Sequence, residues 1–535
     1  MTFSPPQGPT EVDPDSDTWT ATERALAAIW RRLLGAPRIA REDDFFALGG
    51  DSFRATQLAT QVARGFGAPA TAALAFDRPV LAGQAAWIDA SSTPGARKPA
   101  TGATGPGTAL TTQQIEFLDW MSATDPPRDP GAICTAIRIR EPFDAALLRR
   151  ALDTLTARHE PLRTVCAPAP GGALRIGTAA ELPAEVAETD ALGATAEQRL
   201  RHAVELARTE RDRVGDLVRD PLVRALVIRI DQDDAVLVLS VHHFVFDGWS
   251  LGVLLRELGV LLSAFRVGRP DPLRPLPLTH ADYCRWTARQ WELNREFWQR
   301  ALAGAPRALT PFPGRAETHR FSRRRHPFTV PAPLMTALRA AAQAHGGTAF
   351  MAVAACWTAV LADWTGSTDL VLMSPVPGRT APEHDALVGC LVQSLLLRVD
   401  AAGAPDFPEL LARVRATALA AATHQFHAYH ETAPRVPYPA RIHYENWGSG
   451  PFLPGLRSEP FPLPREQQAL DWPAPPGEAD LSCPELIAEE HPDGSLGAAV
   501  VFNHHAFTPD TAARLAAAFL DRVEAATTAQ ETHRA

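Results

Sequence analysis

The sequence predicts a multidomain chain: a small all-α four-helix bundle followed by a larger α/β unit made of two subdomains. Three observations lead there. At roughly 100–200 residues per domain, the 535 residues exceed any single small fold. Residues 89–107, DASSTPGARKPATGATGPG, are almost wholly Ser, Thr, Pro, Gly and Ala, too poor in large apolar side chains to bury a core, and read as a flexible linker. The apolar pattern before that linker has the helical period, whereas strand and helix periods alternate after it. The expected divisions are a disordered tail at 1–18, a bundle at 19–88, the linker, and subdomains at 108–285 and 286–535.

Composition excludes several classes. Apolar residues make up 46% and charged residues 21%, ordinary for a soluble globular protein. A net charge of −9 argues against a nucleic-acid binder and against a polybasic membrane-surface protein. The longest uncharged apolar stretch, Gly346–Ala362, is short for a membrane span and reads as a buried helix. The N-terminus lacks the basic and apolar regions of a secretory signal. Six cysteines without a C-x-x-C pair point away from a disulfide framework or zinc site, and toward a reducing cytoplasm.

In the small unit, Thr20 to Glu23 (TATE) is a capping box, and Leu26, Ile29, Trp30 and Leu33 continue it at helical spacing. A loop from Gly35 to Gly50 leads to a helix with Ala55, Leu58 and Val62 on one face, and a further short helix ends near Trp87. In the large unit, Ala235–Val241 is a buried strand, followed by Leu251, Leu254, Leu255, Leu258 and Leu261 at helical spacing. Leu496–Asn503 and Pro509–Val523 repeat the strand–helix pattern.

Residues 43–54 read DDFFALGGDSFR. Two glycines permit a sharp turn, and Ser52 then opens a helix, where unpaired N–H groups and the helix dipole favour an anion. Taken alone, GGDS also describes a plain helix cap. With the helix before it and QLATQVARGFG after it, the segment resembles the thiolation, or peptidyl carrier, domain of nonribosomal peptide synthetases. That resemblance implies 4′-phosphopantetheine covalently attached to Ser52, installed by a phosphopantetheinyl transferase.

Residues 241–250 read VHHFVFDGWS. A buried strand ends at a histidine pair, and a short loop carries Asp247 and Gly248 into a helix. A histidine held at a strand end can exchange a proton near neutral pH, and attack of an amine on a thioester needs such a group. The spacing H-H-x-x-x-D-G resembles the condensation domains of peptide synthetases, whose fold is two chloramphenicol-acetyltransferase-like halves. RHEPLRT at 158–164, HADYCRW at 280–286, the helix, strand and G-R at 349–379, RIHYENW at 441–447 and ADLSCPELI at 479–487 extend the likeness over 108–528. It implies His243 at the reaction centre, as base or as positioning and oxyanion group. It also implies a structural His242, an Asp247–Arg379 salt bridge, and room beside a substrate tunnel at Gly248. No metal is implied.

The sequence departs from the family pattern at LTTQQIEFL (110–118), at Gln393–Ser394 and at HQFHAYHE (424–431). These leave donor stereochemistry, the class of condensation domain and the acceptor open. His424, His427 and His430 recur every third residue, but no carboxylate or cysteine pattern makes them a metal site. His504–His505 lacks a following D-G and reads as an echo of the first half. Ser52 has no G-x-S-x-G elbow around it, so it and His243 are not a hydrolase dyad.

Together the resemblances imply a carrier–condensation didomain that joins a thioester donor on Ser52 to an amine, giving an amide, or to an alcohol, giving an ester. Nothing in the sequence resembles an adenylation domain, so loading is expected in trans. The acceptor is expected on a downstream carrier or as a free small-molecule amine, with a monomeric chain and no nucleic-acid or membrane partner. The alternatives are an epimerase of the carrier-bound aminoacyl group and a non-catalytic domain that recruits a tailoring enzyme.

Overall fold

The computed structural model describes residues 19–91, 110–122, 131–168, 174–213, 215–306, 309, 312–313, 315–316, 318, 320–427, 440–445, 452–463, 472–473 and 483–534. The tail expected at 1–18 lies outside these residues, as do 92–107 of the expected linker. The chain forms two compact units, residues 1–100 and 101–535.

The first unit is four helices: α1 (Ala21–Leu34), α2 (Ser52–Phe66), α3 (Ala73–Asp77) and α4 (Leu81–Ser91). The capping box forms as its residues dictate. Glu23 N donates to Thr20 Oγ1 at 3.1 Å and Thr20 N donates to Glu23 Oε2 at 2.7 Å. Leu26, Trp30, Phe45, Leu58 and Val62 are wholly buried, and Trp30 Nε1 donates to Gln84 Oε1 at 3.1 Å. The stretch read as one short helix before Trp87 is two, α3 and α4, which completes the expected four; Pro79 lacks the N–H a continuous helix needs there. The expected boundary at 88 falls inside α4, which runs on through Ser91. Asp89, assigned to the linker by its composition, accepts a hydrogen bond from Thr22 Oγ1 and is tied to α1.

The second unit begins with α5 (Thr112–Ser122), β1 (Ala132–Ile139), α6 (Ala145–Arg158), the antiparallel pair β2 (Thr164–Pro168) and β3 (Leu174–Thr178), and β4 (Glu185–Asp190). It continues through α7 (Ala196–Asp212), β5 (Val223–Asp231), β6 (Asp234–His242), α8 (Gly248–Arg266) and α9 (His280–Ala301). Then follow β7 (Arg320–Phe321), β8 (Arg323–Val330), α10 (Ala332–Ala344), α11 (Ala349–Thr365), β9 (Asp369–Val376), β10 (Gln393–Asp400) and α12 (Phe407–Thr423). The last elements are β11 (Ala440–Glu445), β12 (Ser458–Pro460), β13 (Trp472–Pro473), β14 (Glu485–Glu490), β15 (Leu496–Asn503) and α13 (Pro509–Arg534).

Two large sheets result, one of order β12-β1-β6-β5-β4 and one of order β10-β9-β11-β14-β15-β8. In the first, β6 is central and its side chains alternate between two cores. Leu237, Leu239 and Val241 meet Leu148, Leu152, Leu254, Leu258 and Leu261 of α6 and α8, while Val236 and Val238 meet Ala203 and Ala207 of α7. Burial on both faces explains why this strand reads as a continuous apolar run. Helices α10 to α13 pack over the second sheet. The apolar stretch Gly346–Ala362 is not one helix from its start. Gly346 adopts φ +70° and α11 begins at Ala349, bent by 99° from α10. Among the described residues one helix, Gly248–Arg266, is long and apolar enough to cross a membrane, and more than half of it is buried within the protein.

The halves do not separate at 285/286. That position lies inside α9, whose Thr279–Asp282 capping box starts a helix that buries both Tyr283 and Trp298. The second half also returns to the first. β12 pairs with β1, with Ile137 opposite Pro460 and Ile139 opposite Ser458, and Leu453 enters the first core. Gly259 of α8 permits this approach, since a Cβ there would lie 2.5 Å from the carbonyl oxygen of Pro454.

Gly259→Ala gains up to about 1 kcal/mol of helix propensity but overpacks a backbone contact at a cost of about 1–3 kcal/mol. It is expected to lower the denaturation midpoint. Gly252→Ala, on the same helix with open space around it, is expected to leave the midpoint unchanged or raise it. Equal behaviour of the two would contradict the contact.

Candidate active site

The site is built where β6 runs into α8. His242 ends the buried strand, His243 to Val245 form one 3-10 turn, and Asp247 caps α8 by accepting from Ser250 N at 2.8 Å. The paired histidines are thereby given different jobs. His242 is buried, and its Nδ1 accepts from Phe244 N at 3.1 Å, closing the turn. His243 is only partly buried, and its Nδ1 lies 2.7 Å from the carbonyl oxygen of Phe246. A carbonyl only accepts, so Nδ1 carries the proton and Nε2 of the neutral ring holds the lone pair. Burial lowers the pKa of His243 below the ordinary histidine value, outweighing the hydrogen bond to Phe246 and the nearby Asp247. Phe117 of α5 stands nearly perpendicular to the imidazole, with ring centroids 5.3 Å apart.

Asp247 and Arg379 meet across the two halves. Arg379 Nη1 donates to Asp247 Oδ2 at 2.8 Å and Nη2 donates to Oδ1 at 3.1 Å, with no part of Arg379 exposed. Further hydrogen bonds tie the pair to its surroundings. Arg379 donates to the carbonyls of Pro377 and Leu387 and to Ser250 Oγ, and Asp247 accepts from Leu391 N at 2.9 Å and Ser250 Oγ at 2.7 Å. Gly378, before the arginine, has φ +68°, and a Cβ there would lie 2.0 Å from Leu391 O, so only glycine fits. Gly248 is the exposed first residue of α8, beside this cluster. The positive charge of Arg379 adds to burial in pushing His280 down to about 4, keeping it neutral.

Sequence reasoning missed Ser250, Leu391 and Gln114. Ser250 follows Asp247 by three residues, the N3 position of the cap, so DGWS carried a signal for it. The Leu391 amide, 144 positions from Asp247, had none. Two departures from the family pattern touch each other: His427 Nε2 donates to Ser394 O at 2.6 Å. Burial takes the His427 pKa down to about 4, and His424 stacks on Phe297 at 3.8 Å. His430 lies outside the described residues. Among the described residues no group of three His, Cys, Asp or Glu could hold a metal ion. His504 is exposed at the end of β15, and no Asp-Gly follows it at the spacing of the first motif.

In the first unit, Asp51 rather than Ser52 caps α2, accepting from Arg54 N at 2.8 Å. Ser52 is the half-buried first residue of the helix, behind Gly49 at φ +92°. The first turn of α2 holds no acidic residue, and Arg54 lies on it. The Arg54 guanidinium is paired with the Asp51 carboxylate and the Gly49 carbonyl, and a serine on the first turn, beside helix N–H groups, fits a phosphodiester.

A family model for the condensation domain matches residues 133–435, more than half of the chain. The chain belongs to that family. A second model, the phosphopantetheine attachment site, matches residues 24–88, so the carrier precedes the condensation domain and bears covalent 4′-phosphopantetheine. Malpibaldin synthetase of Mortierella alpina is 35% identical over 421 residues, which are 75% of this chain and 7% of that protein. The condensation-domain chain thus spans a small fraction of that relative. Among solved structures, SgcC5 of Streptomyces globisporus is similar at a TM-score of 0.63 and 25% identity, covering 79% of this chain and 99% of that one. The X-domain from teicoplanin biosynthesis is similar in fold at a TM-score of 0.66 and 23% identity, covering 80% and 97%.

Removing one partner of the Asp247–Arg379 pair leaves a buried, uncompensated charge, at a cost of about 3–5 kcal/mol. Asp247→Ala is expected to lose that much stability in chemical denaturation. Unfolding like the wild type would contradict the pair's structural role.

Proposed function

We propose that this carrier–condensation didomain joins an acyl or aminoacyl donor, bound through the phosphopantetheine of Ser52, to an amine supplied by another molecule, forming an amide. The arm, when attached, supplies the thiol that activates the donor as a thioester. The amine comes from a second carrier or is a free small molecule. The observation that carries the reading is the Nδ1–H bond from His243 to Phe246 O. It leaves Nε2 without a proton in the neutral ring, suited to accept one rather than to donate to an oxyanion. Nε2 takes the proton that the amine sheds as its C–N bond forms and gives it to the departing thiol as the thioester C–S bond breaks, and the depressed pKa keeps the ring ready at neutral pH. His242, Asp247 and Arg379 hold the turn through the hydrogen bonds given above, and Gly248 opens the helix beside it. The likeness to an X-domain concerns fold alone.

Treatment with coenzyme A and a phosphopantetheinyl transferase is expected to add one arm by intact mass, and none in Ser52→Ala. The donor-loaded protein, chased with free amines and a loaded carrier, is expected to form an amide about 10²–10⁴-fold more slowly in His243→Ala. No mass gain in the wild type, or amide formation unchanged in His243→Ala, would overturn the reading.

The pH dependence has a definite sign. The reaction needs neutral His243, and its pKa is lowered from 6.5, so the limb that this histidine sets is expected below 6.5, apart from the limb set by protonation of the amine nucleophile itself. A limb at or above 6.5 that is lost in His243→Ala would contradict this.

A further inference from the structure

The turn that holds His243 is gripped from outside by the segment that opens the second unit. Gln114, in the first turn of α5 and 2% exposed, donates from Nε2 to the carbonyl oxygen of Phe244 at 3.0 Å. The carbonyl belongs to the residue after His243, inside the 3-10 turn, where a single turn leaves its carbonyls short of partners. The other end of the Gln114 amide is fixed too. Oε1 accepts from Thr111 N at 3.0 Å, and Thr111 Oγ1 in turn donates to Cys390 O in the β9–β10 connection at 2.8 Å. That connection also carries the Leu391 amide that binds Asp247. One helical turn after Gln114, Phe117 sets its ring nearly perpendicular to the imidazole. The turn after His243, at Phe244 O, and the His243 ring are therefore held by two residues of one helix, and that helix is anchored to the second half.

We propose that Gln114 and Phe117 are positioning residues for His243. Gln114 fixes the turn so that Phe246 O stays within reach of Nδ1, and Phe117 fixes the plane of the ring, so that Nε2 is the nitrogen presented for proton transfer. This rests on the role given to His243 above, but its structural half is separately testable.

The test uses the full holo chain and two variants, Gln114→Leu and Phe117→Leu, so that failure of one to fold leaves the other decisive. ¹⁵N spectra of labelled histidine are read first, since they report tautomer and pKa without turnover. In each folded variant His243 is expected to show a mixture of ring tautomers and a titration midpoint displaced from that of the wild type. Amide formation is then expected to fall about 10- to 100-fold in kcat, with the KM for the amine within about twofold, as for a misplaced rather than a missing group. Thermal unfolding and loading of Ser52 are expected to stay at wild-type levels in Phe117→Leu. Wild-type His243 spectra in both variants would overturn the proposal. If the wild-type chain formed no amide, the function reading would fall, while the spectra would still decide whether Gln114 and Phe117 hold the ring.

Discussion

The fold depends on one buried ion pair. Asp247 closes the N-terminus of α8 in the first half, and Arg379 follows β9 in the second, 132 positions away. Burying a guanidinium and a carboxylate without water carries a large desolvation penalty. Here several contacts offset it: two parallel N–H···O bonds, the Ser250 hydroxyl and amide, the Leu391 amide, and two backbone carbonyls for Arg379. An arrangement that works only when all its members are in place also fixes the relation of the two halves, because they supply different members.

His243 inherits its geometry from that pair. It sits four residues before Asp247, on a turn whose two ends are a buried strand and a capped helix. Neither end can move without disturbing the cluster or the core around Leu254 and Leu258. A second tie acts in the same direction. The β12 segment crosses back to β1, and Pro454 lies so close to Gly259 that no larger residue fits. A rigid frame lets one hydrogen bond, His243 Nδ1 to Phe246 O, set which nitrogen is free for chemistry.

What could be read in the sequence was local. The TATE capping box, the run Ala235–Val241 and the leucine spacing of α8 depend on neighbours within a few positions, and each appears as expected. Ser52 and His243 stand out in the sequence because their motifs are short and contiguous. The elements missed depend on distant chain. Nothing in residues 280–301 marks a subdomain boundary, and the structure shows an unbroken helix there. The three-residue strand β12 has no period of its own and exists only because β1 offers an edge. Arg379 was reached through family resemblance alone, since one arginine among 52 basic residues carries no local sign of its partner.

The central claim is that His243 works as a neutral ring with its proton on Nδ1. The most direct measurement is the ¹⁵N spectrum of the histidine-labelled wild-type chain, with His243→Gln used to assign the resonance, followed across pH. The account predicts a single Nδ1–H tautomer at neutral pH and a titration midpoint below 6.5. An Nε2–H tautomer, or a midpoint above 6.5, would contradict it.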